Sequence, residues 1–119
     1  MSAVWEVFGS GLEHRVAVYM PGTTRVDQGL PANEHDRWVS VAAEFLSGLF
    51  GGATTTRVNG WWVTEQGNLV SETVTVIYAF CSDLSLTDLQ AVRQLAELVK
   101  LALEQESVAV EIDGELFFV

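Results

Sequence analysis

The chain is short of several things, and each shortage narrows its class. A single cysteine excludes an internal disulfide framework and a cysteine-built structural zinc site. Six lysines and arginines stand against 16 aspartates and glutamates, a net charge of −10, so no basic surface exists to displace counterions from nucleic acid. No apolar run approaches the ~18 residues needed to span a membrane. The first residues lack a basic stretch followed by an apolar one, so no signal peptide is expected. What the chain does have is 119 residues, 49% of them hydrophobic and only 18% charged, which rules out a disordered chain. We expect one domain over residues 1–119 and a cytoplasmic protein, with residues 1–12 as an N-terminal arm or an edge strand.

The pattern sharpens from Arg15. Residues Arg15 to Met20 read as a short strand that stops at the Pro21-Gly22 turn, and Gly22 to Ala32 reads as a loop. Asn33 is expected to cap a helix, with Glu34 and Asp36 in its first turn, where the helix dipole favours negative charge. Its apolar stripe is Trp38, Val41, Ala42, Phe45, Leu46 and Leu49, and Gly51-Gly52 ends it. Ala53 to Thr64 and Leu69 to Phe80 follow as a long hairpin around a turn at Glu65 to Asn68. In the second strand Val70, Val74, Val76, Tyr78 and Phe80 share a face with Glu72, and Ser71, Thr73 and Thr75 share the other. A second helix starts near Ser85 or Thr87, where Thr87 and Gln90 have capping-box spacing, and buries Leu89, Val92, Leu95, Ala96, Val99 and Leu103. Ser107 to Ile112 and Glu115 to Val119 form a hairpin on the favoured Asp113-Gly114 turn.

This order predicts an α+β, ferredoxin-like βαββαβ fold: an antiparallel sheet, two helices on one face, and an extra short terminal strand. Right-handed crossovers place the first and third core strands side by side. The sheet's second face is then open, and we expect Ser71, Thr73 and Thr75 on it. Adjacent tryptophans in a strand point to opposite faces, so one of Trp61 and Trp62 is expected under the helices and the other outside.

The candidate binding or interface residues are Arg57, Trp61, Trp62, Glu72 and Phe117. Tryptophan is enriched at interfaces, Glu72 interrupts an apolar face, and Arg57 sits on the facing strand. His14 and His35, the only imidazoles, lack metal or catalytic spacing and are expected to be solvated or capping, so replacing both should spare the fold. Cys81 has no base or electropositive neighbourhood and reads as structural. Neither Gly9 to Gly11 nor Gly48 to Gly52 has the spacing and lysine of a phosphate loop. No catalytic residue, metal or cofactor is indicated.

A tryptophan-bearing helix followed by Gly60-Trp61-Trp62, Gly67 and Glu72 resembles a family of small bacterial and phage-borne domains of unknown function. That resemblance implies a ferredoxin-like fold and supplies no catalytic residue. The architecture is also similar to PII-like signalling proteins, without their nucleotide-binding motifs, and to dimeric α+β barrel enzymes. The expected function is a non-catalytic homo-oligomeric binding or regulatory module acting through its open sheet face and long hairpin, with a protein or small-molecule partner. Neither nucleic acid nor a membrane is expected as partner. The alternatives are a small dimeric α+β barrel-type enzyme with a histidine general base, and an acidic inhibitor that mimics nucleic acid.

Overall fold

The computed structural model describes residues 3–24 and 28–119; the middle of the expected 22–32 loop lies outside the described residues. The elements in chain order are α1 (Ala3–Phe8), β1 (His14–Met20), β2 (Thr23–Thr24), β3 (Gln28–Gly29), α2 (Ala32–Phe50), β4 (Thr54–Val63), β5 (Leu69–Cys81), α3 (Leu86–Ala102), β6 (Ala109–Ile112) and β7 (Glu115–Phe118). Strands β4-β5-β1-β6-β7 form one sheet in that spatial order, with every pairing antiparallel. β1 and β5, the first and third core strands, lie side by side, as expected. The fold is the α+β, ferredoxin-like arrangement that the sequence predicts, with β7 as the extra strand.

Local chemistry sets the element ends. Gly51 closes α2 in the left-handed conformation at φ 90°, its N–H bonded to the Ser47 carbonyl. Pro31, which lacks a side-chain cap, precedes α2, so the helix starts one residue before the expected Asn33 cap. The capping box of α3 is Ser85 with Asp88, two residues before the Thr87–Gln90 pair favoured from spacing. Asp113 and Gly114 both take positive φ, 52° and 87°, the geometry of a tight two-residue hairpin turn. The first twelve residues carry α1, a helix with no buried residue, where an arm or edge strand was expected.

The core lies between the sheet and the two long helices. Val16, Val18, Met20, Ile77, Ala79 and Val110 meet Ala42 and Leu46 of α2 and Val92, Leu95, Ala96 and Val99 of α3. This corrects the assignment of faces. Ile77 and Ala79 continue the side of Thr75 and Thr73, so the Ser71–Thr73–Thr75 set faces the helices. Val70, Glu72, Val74, Val76, Tyr78 and Phe80 lie on the open face. Strict alternation sorts a strand into two sets without saying which one meets the helices. The open face is not bare: Arg15 on β1 stacks over the Tyr78 ring at 4.2 Å and bonds to Glu111 at 3.2 Å, and Tyr19 donates to the same carboxylate.

Neither tryptophan of the pair enters the core. β5 runs 13 residues, roughly 43 Å, against roughly 28 Å for the 19 residues of α2. The hairpin therefore outreaches the helices, and the chain measures 50 × 28 × 25 Å. Trp61 points to the helix side beyond their reach and is 65% exposed. Trp62 lies half-buried on the open face.

Candidate functional site

A strand carrying a carboxylate in an apolar series must give it a donor or leave it wet. Glu72 receives one. Its Oε2 accepts the Gly22 backbone N–H at 3.1 Å. Gly22 follows the end of β1 and lies so close to β5 that a Cβ there would stand 2.0 Å from the Thr73 carbonyl oxygen. Only glycine allows that approach. Across the hairpin Glu72 pairs with Gly60, so no side chain faces it from β4.

Three side chains hold the turn that supplies this donor. His35 is 5% exposed on α2, with Nδ1 3.0 Å from the Pro21 carbonyl and Nε2 2.8 Å from Thr75 Oγ1. A carbonyl only accepts, so Nδ1 carries the proton, and in the neutral ring Nε2 accepts from the Thr75 hydroxyl. Glu72 holds Gly22, and Gln105 Nε2 donates to the Thr23 carbonyl at 2.8 Å and to Leu103 at 3.1 Å. Residues 21, 22 and 23 are thus each fixed by a different part of the chain.

Glu72 borders two cavities. The larger, about 500 Å³, is lined by Gly22, His35, Arg57, Ser71, Glu72 and Thr73, among others. The smaller, about 270 Å³, opens on the other side of β5, with Tyr19, Trp62, Glu72, Gln105 and Phe118 in its wall. The larger lies within the range of small-molecule pockets. Arg57 reaches Asp36 at 3.1 Å and is 64% exposed, so its guanidinium keeps donors free for an anion. One wall of the cleft therefore offers a carboxylate to a cation and another a guanidinium to a carboxylate.

Of the expected residues, the structure brings Arg57 and Glu72 into the larger cleft and Trp62 and Glu72 into the smaller. Trp61 lines neither, and Phe117 lies at the far sheet edge, half-exposed in the wall of a separate groove. The expectation for the histidines is corrected for His35, which is buried and doubly bonded. The buried stripe of α2 starts one turn before the chosen one: His35 precedes Ala42 and Leu46 at helical spacing, and extending the series back from Trp38 would have placed the imidazole inside. Gly22 and Gln105 carried no signal, because the approach of two strands and the reach across 82 residues are tertiary facts.

His14 stands at the other end of β1, roughly 20 Å from the cleft. Its Nδ1 lies 2.7 Å from Asp113 Oδ2, and that hydrogen bond raises the imidazole pKa above 6.5 and lowers the carboxyl below 3.8. The His14 contribution is complete below pH 6.5 and fades as pH rises through its raised pKa. That of Asp113 is complete above pH 3.8 and fades as pH falls through its lowered one. Both groups are solvated, so His14→Gln is expected to leave the urea midpoint at pH 9 unchanged and to lower it only slightly at pH 5.5. Cys81 is buried at the end of β5, and desolvation pushes its thiol up, away from a reactive thiolate.

Among the described residues no helix is long and apolar enough to cross a membrane. No protein-family model and no curated protein sequence matches the chain. Two solved structures share its fold. A phage SAM lyase in complex with S-methyl-5′-thioadenosine superposes with a TM-score of 0.65 and 20% identity, covering 92% of this chain and 91% of that one. A phage SAM lyase in the apo state gives 0.63 at 20% identity, over 89% and 87%. The neighbours are small phage proteins, in keeping with the phage-borne resemblance, and one binds a small molecule. They overturn the expectation of a non-catalytic module, because in both the fold, over about nine-tenths of the chain, is that of an enzyme.

Proposed function

We propose that this protein is a lyase that cleaves S-adenosylmethionine and releases S-methyl-5′-thioadenosine. The observation that carries the reading is the match, nearly end to end, to a lyase that holds this nucleoside. The cleft agrees with it in size and charge. Release of the thioether breaks the bond between the sulfonium sulfur and the four-carbon amino-acid chain, and the electron pair stays on sulfur, neutralising it. The carbon fragment makes good its lost bond by losing a proton or by attack of its own carboxylate. The leaving group needs no proton, so the protein's work is to hold a cation, orient a flexible chain and exclude water. Glu72 provides the anion for the sulfonium or ammonium, and Arg57 the donors for the substrate carboxylate. His35, with both nitrogens bonded, positions the turn.

Incubation with S-adenosylmethionine is expected to yield one S-methyl-5′-thioadenosine per molecule consumed, read by liquid chromatography with mass detection. Glu72→Gln keeps the shape, removes the charge and is expected to lower kcat/KM about 100-fold or more, roughly 2.7 kcal/mol. If the purified protein neither forms S-methyl-5′-thioadenosine nor binds it in calorimetry, the reading is wrong. Two finer proposals accompany it. The protein acts in the cytoplasm, in keeping with its single cysteine, and it associates with copies of itself, which light scattering across the micromolar range tests.

A further inference from the structure

Two apolar features of this chain answer each other. The first is α1, which has no buried residue: Val4 is 62% exposed, Val7 73%, Phe8 81% and the following Leu12 59%. A helix of six residues has no stability of its own in water and needs a surface to lie on. It is joined to β1 through Gly9-Ser10-Gly11, with Gly9 at φ 75°, a backbone turn that glycine adopts without strain. The second feature is a groove of about 310 Å³ at the opposite flank of the sheet, between α3 and the β6–β7 hairpin. Leu89, Val92, Val110, Ile112, Phe117 and Val119 line it, and Arg93 stands at its rim. The groove exists because the sheet has five strands and two long helices cover one face, so β7 leaves the helix side of Phe117 uncovered.

We propose that α1 of one copy docks in the α3/β6–β7 groove of a second copy. A chain's own groove is a poor destination. Leu12 lines a cavity with Phe50 and Phe80, on the β5 side of β1, whereas the groove lies on the β6 side, so the arm sets off away from it. Charge agrees with the pairing. Glu6 is the single charged residue of α1, and Arg93 at the groove rim is exposed and, among the described residues, bonded along its own helix to Glu97, at 3.0 Å. Area agrees as well. A side chain such as Phe or Trp buries ~150–250 Å². Two arms exchanged reciprocally, each bringing Val4, Trp5, Val7 and Phe8 against the apolar lining of a groove, approach the roughly 1,200 Å² at which stable interfaces begin, the surface of both partners counted. The contact is independent of the lyase reading, and it gives self-association a specific place.

The test mixes two defective chains. Removal of residues 2–12 leaves the groove without an arm; Leu89→Arg with Phe117→Arg leaves the arm without a groove. Each alone is expected to raise the concentration for half-association at least tenfold in sedimentation. Mixed, they are expected to form a one-to-one pair through the single complete contact left, weaker than the parent's pair and tighter than either chain with itself. Glu6→Arg and Arg93→Glu, both on the surface and harmless to folding, should each weaken association, and the chain carrying both should recover it. The proposal is overturned if the full chain stays monomeric to ~100 μM, or if the armless chain associates like the parent. It also fails if neither the mixture nor the charge exchange restores what the single changes removed. Persistence of an oligomer in the armless chain would remove this contact and leave self-association through another surface standing.

Discussion

Gly22→Ala is expected to destabilise the protein by about 1–3 kcal/mol and to abolish the candidate site together with it. The added methyl would stand 2.0 Å from the Thr73 carbonyl oxygen, on backbone at both ends, so no side-chain rotation relieves it. The turn must move off β5, and doing so breaks the N–H bond to Glu72, a hydrogen bond to a charged group of about 1.5–3 kcal/mol. The overpacking adds a further ~1–3 kcal/mol if the turn stays, so the chain takes whichever loss is smaller. A melting temperature roughly 4–12 °C below the parent's is the expected reading. Gly48→Ala is the control: nothing lies within 4 Å of its added carbon, and in the last turn of α2 the change should stabilise by at most ~0.5–1 kcal/mol. Equal melting temperatures for the two variants would show that Gly22 does not approach β5 as described.

The second large effect is expected from His35→Ala. The imidazole is 5% exposed and bridges α2, the turn and β5, so its loss leaves the Thr75 hydroxyl and the Pro21 carbonyl without their partner and opens a void. Unsatisfied buried polar groups cost ~1–3 kcal/mol each, and the void adds to that, so a loss of about 3–5 kcal/mol is expected in urea unfolding. His35→Gln, which can still donate and accept, should recover part of it. Lyase turnover should fall in the alanine variant through a higher KM, since the ring fixes the turn without touching the reacting atoms. His14→Ala should do almost nothing. Were His35→Ala to unfold at the parent's urea concentration, the buried bridge would be refuted.

The order and type of the core elements were legible because their signals are local: the period of the α2 and α3 stripes, Gly51 after α2, and Asp113-Gly114 between two apolar runs. The assignment of faces was not, because Val74 and Val76 look like core and are indeed buried, yet by neighbours on the open side of the sheet. Glu72 stood out as a charge among valines, and Arg57 as its facing-strand neighbour, so half of the cleft was visible. The other half was silent. Gly22 reads as an ordinary turn residue after Pro21, His35 lies between two acids like a solvated helix start, and Gln105 follows α3 without pattern. Their roles depend on what the chain brings beside them.

Those roles also set when the site comes into being. The bonds that hold residues 21, 22 and 23 span 14, 50 and 82 positions of the chain. No hairpin or helix forming by itself carries any part of the constellation, and a chain folded only through α2 has one of its three ties. The cleft is thus a product of the slow, long-range end of folding, when non-local contacts finally compensate their loop-closure entropy. The same arithmetic runs backwards in the native state. An excursion that frees the stretch after α3 also frees Thr23, and the amide of Gly22, in a turn where fast hydrogen exchange would otherwise be the rule, should exchange on the clock of the whole fold.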